Sequence, residues 1–144
     1  MYRKIILIIL LLLTADSARA DVFISEKDLK PFADKIMELV IKGDILKAFD
    51  AMKPYLVIPE AEFKSAAQNS KSQREQFAER IGSPIGYEFI GQKSVGTSLV
   101  RLVYIEKTEK QALIWAFYFY KAKAGWVLNS FVWDDQTPAL FQIH

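Results

Sequence analysis

The stretch that decides the fold is Gln111–Trp133, QALIWAFYFYKAKAGWVLNSFVW. Its first half is dense in aromatic and branched side chains, a composition that favours a strand over a helix. Small and charged residues at 121–125 interrupt it, and a second apolar run follows at hairpin distance. The predicted hairpin carries apolar residues on both faces. We expect one face to pack on helices and the other to need a lid, a ligand or a second subunit.

The hydrophobic period changes midway along the chain. Before Ile85, apolar residues recur at helical spacing and predict three helices, at 28–42, from Asp44 to before Pro54, and at 60–81. After Ile85 the period is two, which predicts strands at 87–95, 99–106, 111–120 and 126–133. Helices followed by strands predict an α+β fold, in which the N-terminal helices pack on one face of a curved four-stranded antiparallel sheet.

The first twenty residues have the features of a signal peptide. Arg3 and Lys4 precede nine apolar residues, and Ala18-Arg19-Ala20 supplies the small-x-small cleavage motif. The apolar run is shorter than the roughly 20 residues of a spanning helix, which favours cleavage over an uncleaved anchor. We therefore predict a signal peptide at 1–20, a single α+β domain at 21–144, and export, in the first place to the periplasm.

Composition argues against several classes of function. After residue 20 the chain has 16 Lys and Arg and 16 Asp and Glu, without a basic cluster, so we expect no nucleic-acid partner. The absence of cysteine excludes disulfides and thiol catalysis. The only histidine is the terminal His144, so we predict no metal site, no cofactor and no Ser-His-Asp group. Asp134 and Asp135 follow the last strand, where such pairs usually form a turn.

One face of the predicted sheet holds a candidate ligand site. Symmetric closure of the hairpins places Arg101, Ala116 and Ser130 in one row, bordered by residues that include Leu128. A cation beside small residues in apolar surroundings is a candidate anchor for an anion. Alternatively, Arg101 lies near an edge with its head in water. The candidate ligand-binding residues on this face are Arg101, Tyr118, Ser130 and, further along it, Glu88.

The order of elements resembles a known family. A signal peptide, helices in the first half, a twisted antiparallel sheet in the second and a closing strand Gly125-Trp126-Val127-Leu128-Asn129-Ser130-Phe131 are similar to the nuclear transport factor two-like superfamily of cone-shaped domains. The likeness is greatest to its small exported bacterial members of unassigned activity. It implies a cavity between helices and sheet and frequent dimerisation through the outer sheet face. The superfamily includes enzymes such as ketosteroid isomerase, but no residue-by-residue match to their catalytic set is present, so we assign no catalytic residue.

Two functions are compatible with these features. The first is a non-catalytic exported binding or assembly domain that forms a homodimer through the outer sheet face and holds a small hydrophobic or acidic ligand, or an envelope protein. After cleavage it would have no stable membrane span. The alternative is a small isomerase- or hydrolase-like enzyme, in which Glu88, Asp134 or a tyrosine acts with Arg101. That alternative requires a carboxylate inside the cone cavity.

Overall fold

A computed structural model describes residues 20–142, which form three helices followed by a four-stranded sheet. The predicted signal peptide, apart from Ala20, and the terminal His144 lie outside these residues. The helices are α1 (Leu29–Ile41), α2 (Ile45–Met52) and α3 (Glu60–Ile81), and the strands are β1 (Pro84–Val95), β2 (Leu99–Thr108), β3 (Ala112–Lys121) and β4 (Trp126–Asp134). Among the described residues, no helix has the length and hydropathy needed to span a bilayer.

The strands form an antiparallel meander in the order β1-β2-β3-β4. The predicted α+β class, with helices before the sheet, is confirmed. The core lies between the helices and one face of the sheet, which we call the inner face. There Met37 of α1 and Phe49 of α2 belong to the same buried cluster as Leu102, Trp115 and Phe117. The opposite face, reached by alternate residues of each strand, is the outer face.

The predicted strand register was wrong by two residues. The row Arg101–Ala116–Ser130 is replaced by Arg101–Tyr118–Ser130. Between β2 and β3 the reason is a turn that is tighter and later than expected, with Thr108 and Gln111 hydrogen-bonded across it. Between β3 and β4 the reason is a turn that pairs Lys121 with Trp126, followed by one extra residue in β4. A shift of two residues leaves a side chain on its predicted face, since side chains alternate with a period of two, and this holds for Arg101, Tyr118 and Ser130.

The N-terminal segment closes one end of the sheet. Phe23 pairs with Trp126 through two backbone hydrogen bonds of 2.8 Å, and its ring stacks on Tyr55 with centroids 4.1 Å apart. Gly125 permits this approach, because its φ is +151° and a Cβ there would lie 2.7 Å from the Phe23 carbonyl oxygen. The domain is therefore held together from within a few residues of Ala20.

Candidate functional site

The central feature of the outer face is a row of polar side chains. Arg101 of β2 pairs with Tyr118 of β3, which pairs with Ser130 of β4, and Lys93 of β1 pairs with Arg101. Neighbouring strands lie about 4.8 Å apart, so these four residues form one line across the sheet. Three of the four residues predicted from the sequence thus share a row.

A β-bulge at Asn129 makes this row possible. Phe119 pairs with Leu128 and Tyr118 pairs with Ser130, so Asn129 is an extra residue in β4. A bulge turns the side chains that follow it, and it occurs often beside functional sites. Here it keeps Ser130 on the outer face while Leu128 is buried in the inner core. The prediction that Leu128 borders the Arg101 row was therefore wrong.

The row lies along a groove of about 380 Å³, which we call the outer groove. Its polar lining includes Lys93, Arg101, Tyr118 and Ser130, and its apolar lining includes Val95 and Leu99. Two of the lining side chains are cationic and none is acidic. This combination suits a small ligand that has a negative group and an apolar part.

Arg101 is half-buried, as a side chain on an inner strand of the sheet. Within residues 20–142 it forms no salt bridge with a carboxylate. Glu88, the fourth predicted residue, is exposed on the same face but stands opposite Ile105. At about 3.3 Å per residue, the four residues from Ile105 to Arg101 correspond to about 13 Å. The structure therefore does not bring Glu88 to the groove.

The second half of the outer face is covered by a C-terminal turn, Thr137–Gln142. Leu140 packs against a small cluster of Val103, Ile114 and Ala116. A second groove of about 190 Å³ lies between this turn and the row, and it shares Arg101 and Tyr118 with the outer groove. The cover that the sequence predicts for the outer face is thus partly supplied by the chain itself. Beyond it, apolar side chains stay exposed, among them Val95, Leu99 and Val132.

The inner face contains a buried ion pair that the sequence analysis missed. Glu106 of β2 is fully buried, and its carboxylate accepts two hydrogen bonds from the guanidinium of Arg74 on α3, one of them 3.0 Å long. The indole N–H of Trp115 donates to the same carboxylate at 2.8 Å. The guanidinium of Arg74 also lies over the ring of Trp133, 5.4 Å from its centroid. The indole N–H of Trp133 in turn donates a hydrogen bond of 3.2 Å to the Ser70 hydroxyl.

This arrangement bears on the catalytic alternative. A general base must have a free lone pair within reach of the substrate proton. Both oxygens of Glu106 are engaged by fixed donors, and the side chain has no solvent-accessible surface. The acids that the alternative named, Glu88 and Asp134, are exposed, and Asp134 accepts a hydrogen bond from the Gln136 backbone N–H as a turn cap. Glu106 and Asp134 therefore take part in hydrogen bonds of the fold, whereas the Glu88 side chain has none among the described residues.

A second polar contact joins α1 to the sheet. The Tyr104 hydroxyl donates to the Asp34 carboxylate at 2.7 Å, and Lys30 donates to both oxygens of that carboxylate. The pKa of Tyr104 is raised above its ordinary value of 10.0. Burial of the phenol is the largest cause, and the hydrogen bond to Asp34 is the second. Burial also raises the pKa of the neighbouring Tyr87. Both phenols are therefore stabilised in their protonated form.

This contact predicts an alkaline loss of stability. Because the folded-state pKa of Tyr104 is raised, its contribution is complete below the unfolded value of about 10 and is lost as the pH rises from there toward the folded value. At neutral pH, Tyr104→Phe should lower the free energy of unfolding by about 1–2 kcal/mol, since Asp34 loses a donor. Denaturant unfolding between neutral and strongly alkaline pH should show a shallower decline in the variant. An equal decline in both proteins would contradict the assignment.

Comparison with known proteins gives a partial structural match. No family model matches the chain, and no curated protein is similar to it. Among solved structures, a Campylobacter jejuni protein described as a candidate NTF2-like transpeptidase matches 72% of this chain and 98% of its own, with 9% sequence identity and a TM-score of 0.48. At this identity and TM-score we take neither a family nor an activity from the match.

Proposed function

We propose that this protein is an exported, non-catalytic binding or assembly domain that works through its outer sheet face. The observation that carries the proposal is the row on that face, where the half-buried Arg101 forms no salt bridge among the described residues and lies beside the exposed apolar side chains of Val95 and Leu99. A cation in such surroundings is an anchor for a ligand or partner of opposite charge. The ligand is small and acidic or hydrophobic, in keeping with a groove of about 380 Å³.

Export is the second part of the proposal. It is supported by the signal-peptide features of residues 1–20 and by the start of the fold directly after them, where the Asp21 backbone N–H donates to the Pro54 carbonyl at 2.7 Å. Cleavage after Ala20 would leave every described contact of the domain in place. Expression of the full sequence in a bacterial host with two membranes should give a periplasmic product that begins at Asp21, as N-terminal sequencing would show. A product that retains residue 1 would refute cleavage.

The third part is a homodimer through the same face. Val132 is 49% exposed and Leu99 is 43% exposed, whereas Val103, Ile114 and Ala116 on the same face are buried beside Leu140. A second copy laid over this face would remove those side chains from water, at roughly 25 cal/mol per Å² of apolar surface. The dimer and the ligand both use the outer face, and each has its own test.

Sedimentation of the chain that starts at Asp21 tests the dimer. We expect a dimer at tens of micromolar, and we expect Val132→Lys to yield a monomer because it buries a charge in the interface. The matched control is Val57→Lys, which changes an equally apolar and more exposed residue in the loop before α3. A monomeric parent protein, or a dimer that Val132→Lys leaves unchanged, would contradict dimerisation through this face.

The catalytic alternative has less support. It needs a carboxylate that is buried in the cavity and free to take a proton, whereas Glu106 is held by Arg74 and Trp115. Asp34 is likewise occupied, by Tyr104 and Lys30. The binding proposal requires no such group, because its site is the Arg101 row.

A further inference from the structure

The outer groove differs from the other large grooves of the described domain in its charge. Its lining has Lys93 and Arg101 and no acid. The groove beside α2 and α3, about 520 Å³ in volume, has acids among its lysines, and its Arg74 is already paired with Glu106. The groove under the C-terminal turn has both Arg101 and Asp134 in its lining. Of these three grooves, the outer groove is the one lined by cationic side chains without an acid.

The donors of the outer groove can act on one group. Arg101, Tyr118 and Ser130 stand on three adjacent strands, which places the outermost two about 10 Å apart at the backbone. The Arg101 side chain is long enough to reach across part of that distance, and its planar guanidinium can bind a carboxylate with two parallel hydrogen bonds. The hydroxyls of Tyr118 and Ser130 can each donate to an oxygen of the same group.

The apolar part of the groove lies to one side of this row. Val95 and Leu99 pair with each other and stand two residues along the strands from Lys93 and Arg101, a step of about 7 Å. They are 61% and 43% exposed. A groove of about 380 Å³ lies at the lower end of the range of roughly 300–1,000 Å³ for ligand pockets. Its lining has a charged end at Lys93 and Arg101 and an apolar end at Val95 and Leu99. The distance between the two ends suits a short acyl chain, or one or two side chains of a peptide.

Building on the proposed binding function, we propose that the outer groove takes the carboxylate of a small amphipathic acid. The carboxylate is bound by the Arg101 guanidinium, with the hydroxyls of Tyr118 and Ser130 on the next two strands as further donors, and the apolar body covers Val95 and Leu99. Two sources share this chemistry, a free alkanoic acid and the C-terminal carboxylate of an apolar peptide. In both, the negative group and the apolar body are adjacent, as the two halves of the groove are.

The proposal is tested by titrating the protein with defined small molecules while its amide NMR shifts are monitored. Octanoate should bind at least tenfold more tightly than octanol, which lacks the charge, and than acetate, which lacks the apolar body. Acetyl-valyl-leucine with a free carboxylate, compared with its amide, measures the peptide source. The tighter of octanoate and the free-acid peptide identifies which source the groove prefers. Equal binding of octanoate and octanol, or no binding of either acid, overturns the proposal.

Variants locate the site. Arg101→Gln should weaken the tighter acid at least tenfold, while Arg101→Lys should restore part of the affinity through its charge. The matched control is Arg80→Gln, which removes an exposed arginine of α3 whose partner is Asp135. The Arg101→Gln variant should unfold at the same denaturant concentration as the parent protein, which shows that it is folded. If such a folded variant binds the acid with unchanged affinity, the assignment of the acid's site to this row is overturned. Sedimentation of the parent protein is independent of these probes, so a failure here leaves the dimer separately testable.

Discussion

Replacing Arg74 by methionine is expected to lower the free energy of unfolding by about 3–5 kcal/mol, because the Glu106 carboxyl group would be left in the core without its cationic partner. The cation sits on α3 and the anion on β2, so this pair also ties the longest helix to the sheet. Denaturant unfolding monitored by tryptophan fluorescence measures the loss. Trp115 and Trp133 border the pair and report on it directly.

The double variant Arg74→Met, Glu106→Gln separates charge from packing. Its glutamine oxygen can still accept the Trp115 indole N–H, and no buried charge remains. We expect it to recover at least half of the lost stability, since replacing both partners of a buried pair is often nearly neutral. The matched control is Lys71→Met one turn earlier on α3, which is exposed and should change stability by less than about 0.5 kcal/mol. A loss below about 1 kcal/mol in the single variant would contradict the role given to this pair.

Phe23→Ala is expected to cost about 3 kcal/mol, although Phe23 lies close to the start of the folded domain. Its ring is 8% exposed and has Tyr55 and Phe32 within 5 Å between centroids. Its loss would also loosen the strand pairing with Trp126 at the open edge of β4. The same unfolding measurement applies here.

The next residue offers a matched control. Ile24 is 83% exposed, so Ile24→Ala should shift stability by less than about 0.5 kcal/mol. If the two alanine variants unfold at the same denaturant concentration, the N-terminal segment does not stabilise the sheet as described.

The elements of this fold could be predicted from the sequence because each has a strong local signal. The α3 boundaries, Glu60 and Ile81, were predicted without error, since Pro59 precedes the helix and Gly82 ends it at a φ of +76°. Strand identity followed from the alternation of apolar residues, which survives a register error of two. The register itself depends on a tight turn and on the bulge at Asn129, and neither has an unambiguous signature in one sequence.

The candidate site was predicted in part for the same reason. Arg101, Tyr118 and Ser130 were placed on one face by alternation, and the structure puts them in one row. Glu88 lies on the predicted face but four residues along the strand from the Arg101 row. The alternation of side chains predicts the face of a residue and not its distance from another residue on that face. The Arg74–Glu106 pair was missed, although Arg74 falls on the stripe of Phe63, Ala67, Phe77 and Ile81 and Glu106 continues the inner positions Leu102 and Tyr104. Opposite charges at two core positions were the available signal.

The central claim is that the outer sheet face is the working surface of the domain. Amide NMR spectra of the chain that starts at Asp21, recorded over a dilution series and during an octanoate titration, test it most directly. We predict that the shift changes in at least one series concentrate at Arg101, Tyr118 and Ser130 and in the adjoining residues of the outer face. Changes confined to the inner face, around Trp115 and Phe117, or no change in either series, would contradict the claim.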